Sequence, residues 1–265
     1  MEISMDVSLD PTLGCGQAHR WKKDGDVWKG VLGKEKVEIR ETEDGIDFRG
    51  CGEQRIKDYF RYEDDLGSIY SEISERDGYA GMLAGKCRGL RLLRQDIWEC
   101  TATYVLATNA NVKRIGKMVE SVCRMYGDDL GGAYSFPEPG QILDGKESIS
   151  KCRLGYRQER FLELAEKTEN GTYDLESLRD ADYEKCVREL KKIKGIGPKV
   201  ADCVALFAYG HLEAFPVDAR IFGIMEKQYG VTGNYSRVSE YGRNLFGKCA
   251  GYAQELLYHS SSILL

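Results

Sequence analysis

The sequence predicts an α+β protein, with an N-terminal antiparallel sheet domain followed by a helical bundle. Three observations predict it. Short alternating apolar runs crowd the first fifty residues, the apolar period lengthens to that of helices after about residue 53, and turn residues separate the segments at short intervals. The 265 residues allow one large domain or two modest ones, and 42% hydrophobic with 31% charged residues is a folded composition, not a disordered one.

Val27 to Leu32, Lys36 to Arg40 and Ile46 to Arg49 alternate as strands do, and Gly33-Lys34 and Glu43-Asp44-Gly45 break them as turns. They form a meander with one wet face. Helical spacing of apolar residues follows in 97–108, 112–126, 157–168, 183–193, 199–209, 218–229, 236–246 and 251–260. The expected division is a sheet domain over 1–85 and a helical domain over 86–265.

Composition removes several function classes. The longest apolar run, Cys203 to Tyr209, has 7 residues, far short of a membrane span, and Met1 to Asp6 is neither basic nor apolar enough for a signal peptide. Nine cysteines without a C-x-x-C pair fit neither a disulfide framework nor a zinc ribbon, so reduced thiols in an intracellular compartment are expected. Net charge is −5, but residues 1–85, 86–185 and 186–265 carry −7, −1 and +3. That asymmetry is compatible with a polyanion on the C-terminal part.

The stretch from Leu190 to Asp202 carries the chemistry. Its first helix is expected to end at Gly195; the turn Gly195-Ile196-Gly197 exposes backbone N–H groups, and Pro198 suits the first position of a new helix. Exposed amides at a positive helix end suit a phosphate, and leftover carbonyls of the first helix could hold a cation. Lys191, Lys192 and Lys194 add charge for a nucleic acid. A plain helix–turn–helix corner has the same pattern.

Lys199 falls in the first turn of the second helix, where the helix end and neighbouring lysines disfavour an ammonium. This predicts a neutral amine able to attack, although a solvated phosphate-binding lysine is the commoner role. Cys203 lies on the same face, as a packing residue or beside a ligand. Asp218 is placed to cap the helix after Pro216-Val217, and a carboxylate near an attacking amine can also stabilise a sugar cation.

Gly195-Ile196-Gly197-Pro198-Lys199-Val200-Ala201-Asp202-Cys203 with Phe215-Pro216-Val217-Asp218 resembles the helix-hairpin-helix and Gly/Pro…Asp element of a DNA glycosylase superfamily. The hairpin element spans about residues 183–209. The chain is similar to the long, eukaryote-like 8-oxoguanine DNA glycosylases over about residues 6–260. Leu13 to Trp21, Gly89 to Asp96, Thr108 to Asn111, Leu154 to Arg157 and Gly251 to Gln254 carry the likeness in the family's order.

The resemblance implies a bifunctional enzyme of base excision repair. It flips 8-oxoguanine from duplex DNA, cuts the glycosidic bond through a lysine Schiff base, and nicks the strand by β-elimination. Lys199 would be the nucleophile at C1′ and Asp218 the stabiliser of the cationic sugar. The Gly16 carbonyl would accept from the N7–H that only the oxidised base carries; an acceptor left unpaired there costs about 1–3 kcal/mol. Gln254 would read the Watson–Crick edge, and Cys203 and Tyr258 would sandwich the ring. A thiolate at Cys203 would form a dipole with Lys199.

Asn109, Arg114 and Arg157 would contact the orphaned cytosine, and Tyr156 would wedge the stack. Gly195 and Gly197 would hold a phosphate, and Arg220 another. Carbonyls of Lys191, Ile193 and Ile196 match a cation site. Ala110 stands where the family has a central asparagine, which points to a relaxed preference for cytosine; Arg220 and Tyr258 replace a histidine and a phenylalanine. Cys249 is the one cysteine beyond Asp218, so no iron–sulfur cluster is expected. No cofactor is required, the partner is duplex DNA, and a monomer inside the cell is expected, in the cytoplasm or nucleoid of a prokaryote or the nucleus of a eukaryote. Two other readings stand beside this one: a non-catalytic hairpin DNA binder, and a relative that removes another oxidised base.

Overall fold

The computed structural model describes residues 1–263, with side chains through His259. Strands β1 (Glu2–Ser4), β2 (Lys22–Asp24), β3 (Val27–Leu32), β4 (Glu35–Thr42) and β5 (Gly45–Arg49) form one antiparallel sheet in the order β1-β5-β4-β3-β2. Trp28 faces Ile39, and Ile39 faces Phe48, so one sheet face carries a continuous apolar row. The three predicted strands are present as a meander; β1 and β2 flank them.

Helix α1 (Leu9–Gly14) precedes β2. After the sheet come α2 (Glu53–Tyr59), α3 (Leu66–Arg76), α4 (Gly78–Lys86), α5 (Ile97–Ala107), α6 (Val112–Tyr126), α7 (Pro139–Asp144) and α8 (Arg157–Glu169). The last set is α9 (Tyr183–Leu190), α10 (Pro198–Phe207), α11 (Ala219–Tyr229), α12 (Tyr235–Phe246) and α13 (Ala250–Ile263).

Two hydrophobic cores result. One joins the sheet to α1 and α2, from Ile3 through Phe60, with Leu93. The other runs from Leu66 to Leu257. Helices α3 and α4 fall within the expected sheet domain of residues 1–85, yet Leu66, Ile73 and Leu83 are buried in the helical core. The cores therefore divide near residue 60, because α3 and α4 hide their apolar faces on the C-terminal helices and not on the sheet.

Two buried polar knots fix the elements that carry the site. Gln17 donates to the carbonyls of Thr12 (2.8 Å) and Arg91 (2.9 Å) and accepts from the N–H of Leu93 (2.9 Å). That pins the 15–20 loop to the segment after α4. Asp202 of α10 accepts from Tyr183 of α9 (2.6 Å), Ser239 (3.2 Å) and Tyr235 of α12. A buried carboxylate is tolerable when so many donors converge on it.

Candidate active site

The corner between α9 and α10 departs from the expected form. Helix α9 stops at Leu190, not at Gly195, because Lys192, Ile193 and Ile196 each donate to the carbonyl three residues back, which tightens the chain out of α-helix. Gly195 has φ +97, and a Cβ there would lie 2.8 Å from Cδ of Arg160. Gly197 caps α10 with ordinary extended angles, and a Cβ there would meet no protein atom. Its lack of a side chain leaves the first N–H groups of α10 open to a ligand.

Lys199, in the first turn of α10, points into a cavity of about 280 Å³. Gly16, Cys203, Asp218, Arg220, Gln254 and Tyr258 line the same cavity. Seven predicted residues from four separate chain segments thus converge on one space. Gly16 reaches it through a backbone with φ +104, which favours glycine. Asp218 caps α11 by accepting from the N–H groups of Arg220 (3.0 Å) and Ile221 (2.9 Å). The Arg220 guanidinium lies 4.4 Å from the Tyr258 ring centre.

The charge state of Lys199 corrects the expectation of a neutral amine. Burial works against its charge, but Cys203 and Asp218 outweigh burial and hold the ammonium above its ordinary range. Local helix-end effects lose here first to Cys203, one turn on along α10, and then to a carboxylate nineteen residues away. Lys199 Nζ also lies 5.2 Å from the Tyr104 ring centre. At Cys203, burial pushes the thiol up and Lys199 offsets only part of that.

The remaining predicted residues form a surface beside the cavity. Asn109 adopts φ +51 and donates to the Tyr156 hydroxyl (3.3 Å), which donates to the Thr108 carbonyl (3.0 Å). Tyr156 is 53% exposed. Arg114 is exposed on the first turn of α6, which Asn111 caps. Arg157 differs from expectation: it is buried, and its guanidinium donates to the carbonyls of Thr108 (2.8 Å) and Asn109 (3.0 Å). It holds the turn that carries Asn109, so a direct contact with DNA would require releasing those bonds.

Arg160 connects this surface to the hairpin, lying over the Tyr156 ring at 5.4 Å and under Gly195. Lys192 pairs with Glu189 (2.5 Å), and Lys194 with Glu159 (2.9 Å) and Glu163 (3.0 Å). Such exposed pairs are weak and exchange readily for a phosphate. Among the described residues no three His, Cys, Asp or Glu side chains cluster to hold a metal.

Residues 2–101 match the family described as 8-oxoguanine DNA glycosylase, N-terminal domain. The N-glycosylase/DNA lyase OGG1 of Arabidopsis thaliana is 30% identical over 280 residues, covering 96% of this chain and 77% of its own. The chain belongs to the 8-oxoguanine DNA glycosylase family. The N-glycosylase/DNA lyase of Saccharomyces cerevisiae is 28% identical, over 89% of this chain and 72% of its own. The apo-form crystal structure of Clostridium acetobutylicum 8-oxoguanine glycosylase/lyase overlays with TM-score 0.91 at 26% identity, covering 98% of this chain and 99% of that one.

Sequence reasoning missed several residues of this 8-oxoguanine glycosylase cavity. His19 lines it, and burial with Lys199 nearby lowers its imidazole to about 4, so it is neutral. Val112, 43% exposed, stands at the cavity wall and would meet a Cβ on Gly16 at 3.0 Å. Glu255 lines the cavity beside Gln254 and is 3% exposed. A carboxylate beside Gln254 in the otherwise apolar stretch Tyr252 to Leu257 was the signal available for it.

Proposed function

We propose that this chain excises 8-oxoguanine from duplex DNA and then nicks the strand by β-elimination. The observation that carries the reading is the meeting of Lys199 and Asp218 in one cavity walled by Gly16, Cys203, Gln254 and Tyr258. Beside the cavity lie the exposed Asn109 and Tyr156, with half-buried Arg160 over the Tyr156 ring, and the open amides at Gly197.

The hairpin and basic side chains hold phosphates, Tyr156 enters the stack, and the lesion leaves it at a cost of a few kcal/mol. The Gly16 carbonyl accepts N7–H, Gln254 reads the far edge, and Cys203 and Tyr258 enclose the ring. A base that fills the cavity expels water and makes the Lys199 charge costlier, which favours release of its proton. The Nζ lone pair then adds to C1′ as the bond to the base breaks, and the base leaves with the bonding pair and takes up the proton that Lys199 released. Asp218 offsets the positive charge on the sugar. The sugar opens to a Schiff base on Nζ; loss of a C2′ proton breaks the C3′–O bond and cuts the strand.

Asn109 and Arg114 face the opposite strand in this reading, with Arg157 holding their turn, and Arg220 meets a phosphate beside the flipped nucleotide. Carbonyls of Lys191, Ile193 and Ile196 would hold a cation against a hairpin phosphate. The Ile193 carbonyl already accepts from Ile196 N–H at 3.0 Å and keeps a second lone pair for an ion. The enzyme would act inside the cell, wherever the genome is.

A panel of labelled duplexes bearing 8-oxoguanine, an oxidised pyrimidine or no lesion, assayed at one salt concentration, tests the reading. Nicking confined to 8-oxoguanine is expected. Binding without nicking, or a preference for the pyrimidine, contradicts it.

A further inference from the structure

We infer that Glu255 is a further base-contacting residue, its Oε1 accepting a hydrogen bond from an N–H of the extrahelical purine. The inference deepens the activity proposed above and rests on it. Glu255 follows Gln254 on α13, is 3% exposed, and lines the cavity that holds Lys199 and Asp218. Its Oε1 is buried and has no hydrogen-bond partner within the protein. Buried polar atoms are nearly always paired, and one left open on a ligand cavity points to a partner that arrives with the ligand.

The surroundings say what that partner is. Cys15, the residue before Gly16, lies near enough to influence the Glu255 carboxyl, and Gly16 and Gln254 line the same cavity. Glu255 thus shares a cavity wall with the two groups assigned to the edges of the base. An oxidised guanine carries N–H donors at N1, at N2 and at N7, and a donor-rich base suits a wall of acceptors. Burial pushes the carboxyl up to about 7, with Asp218 adding to the shift and Cys15, Lys199 and Arg220 opposing it. An arriving N–H favours the ionised form and makes the bond charge-assisted. A base with an acceptor at that point would meet repelling oxygens instead.

The test separates steps that need the base from steps that do not. Glu255→Leu fills the space without an acceptor, Glu255→Ala removes the acceptor without overpacking, and Glu255→Gln keeps an amide oxygen. Each is assayed for single-turnover release of 8-oxoguanine opposite cytosine, and for borohydride trapping on a duplex with a preformed abasic site. Glu255→Leu and Glu255→Ala are expected to slow base release at least about tenfold, the worth of one good hydrogen bond. They should leave abasic trapping within about twofold, because no base occupies the cavity there. Glu255→Gln should stay within about threefold of the native protein in both. Native base release in Glu255→Leu or Glu255→Ala, equal losses in both assays, or a Glu255→Gln as slow as Glu255→Leu overturns the inference. A native protein that traps abasic DNA but releases no 8-oxoguanine overturns the activity itself, and that failure shows in the native arm alone.

Discussion

Asp218 serves Lys199 from the cap of a helix. Its Oδ1 accepts from the N–H groups of Arg220 at 3.0 Å and Ile221 at 2.9 Å, while its charge helps keep the Lys199 ammonium protonated. One carboxylate therefore orients α11 and acts on the charge of Lys199, and in the proposed reaction it would also offset a cation on the sugar.

These roles separate in Asp218→Asn. Asparagine caps as well as aspartate, so stability should change by less than about 1 kcal/mol. Loss of the charge lets Lys199 deprotonate more easily, which alone would speed attack. A fall in single-turnover excision of about 100-fold, with lesion affinity within about threefold, therefore assigns the loss to the transition state. Equal losses of affinity and rate would make Asp218 a cap and nothing more.

The two hairpin glycines should fail differently. Gly195→Ala places a Cβ at φ +97 and 2.8 Å from Arg160, and should cost at least about 1 kcal/mol in urea unfolding. Gly197→Ala has allowed angles and open space, so folding should be unchanged while the new methyl stands where a phosphate would approach. Anisotropy with an undamaged duplex should show weaker binding for Gly197→Ala. Native affinity would remove the phosphate from that position.

Glu255 gives the fold a pH dependence of known sign. Its carboxyl moves from an ordinary 4.5 to about 7 on folding, through burial. Between those values the folded protein keeps a proton that the unfolded chain has released. Its contribution is therefore full below about 4.5, declines as pH rises, and levels off above about 7. Glu255→Gln should lack this decline and gain about 1–3 kcal/mol over the native protein between pH 4.5 and pH 8. Parallel stability curves for the two proteins would contradict the assignment.

Much of this was legible in the chain. Strands β3 to β5 alternate over four or more residues, and α6 starts and stops where Asn111 and Gly127 place its ends. Strands β1 and β2 have three residues each, too few for a period to register. Helix α4 carries Gly78, Gly81 and Gly85, which blur a helical pattern. The motif residues Lys199, Asp218 and Gln254 were found because each sits in a local signature. The inward turn of Arg157 and the open oxygen of Glu255 depend on partners distant in sequence, about which local spacing carries no information, and the charge of Lys199 depends on the balance of its burial against Cys203 and Asp218, which spacing does not weigh.

The covalent step decides the account. Native protein incubated with an 8-oxoguanine duplex and borohydride should yield a cross-linked species, and Lys199→Gln should yield none while still binding the lesion. A trapped adduct in Lys199→Gln would place the nucleophile elsewhere and contradict the account.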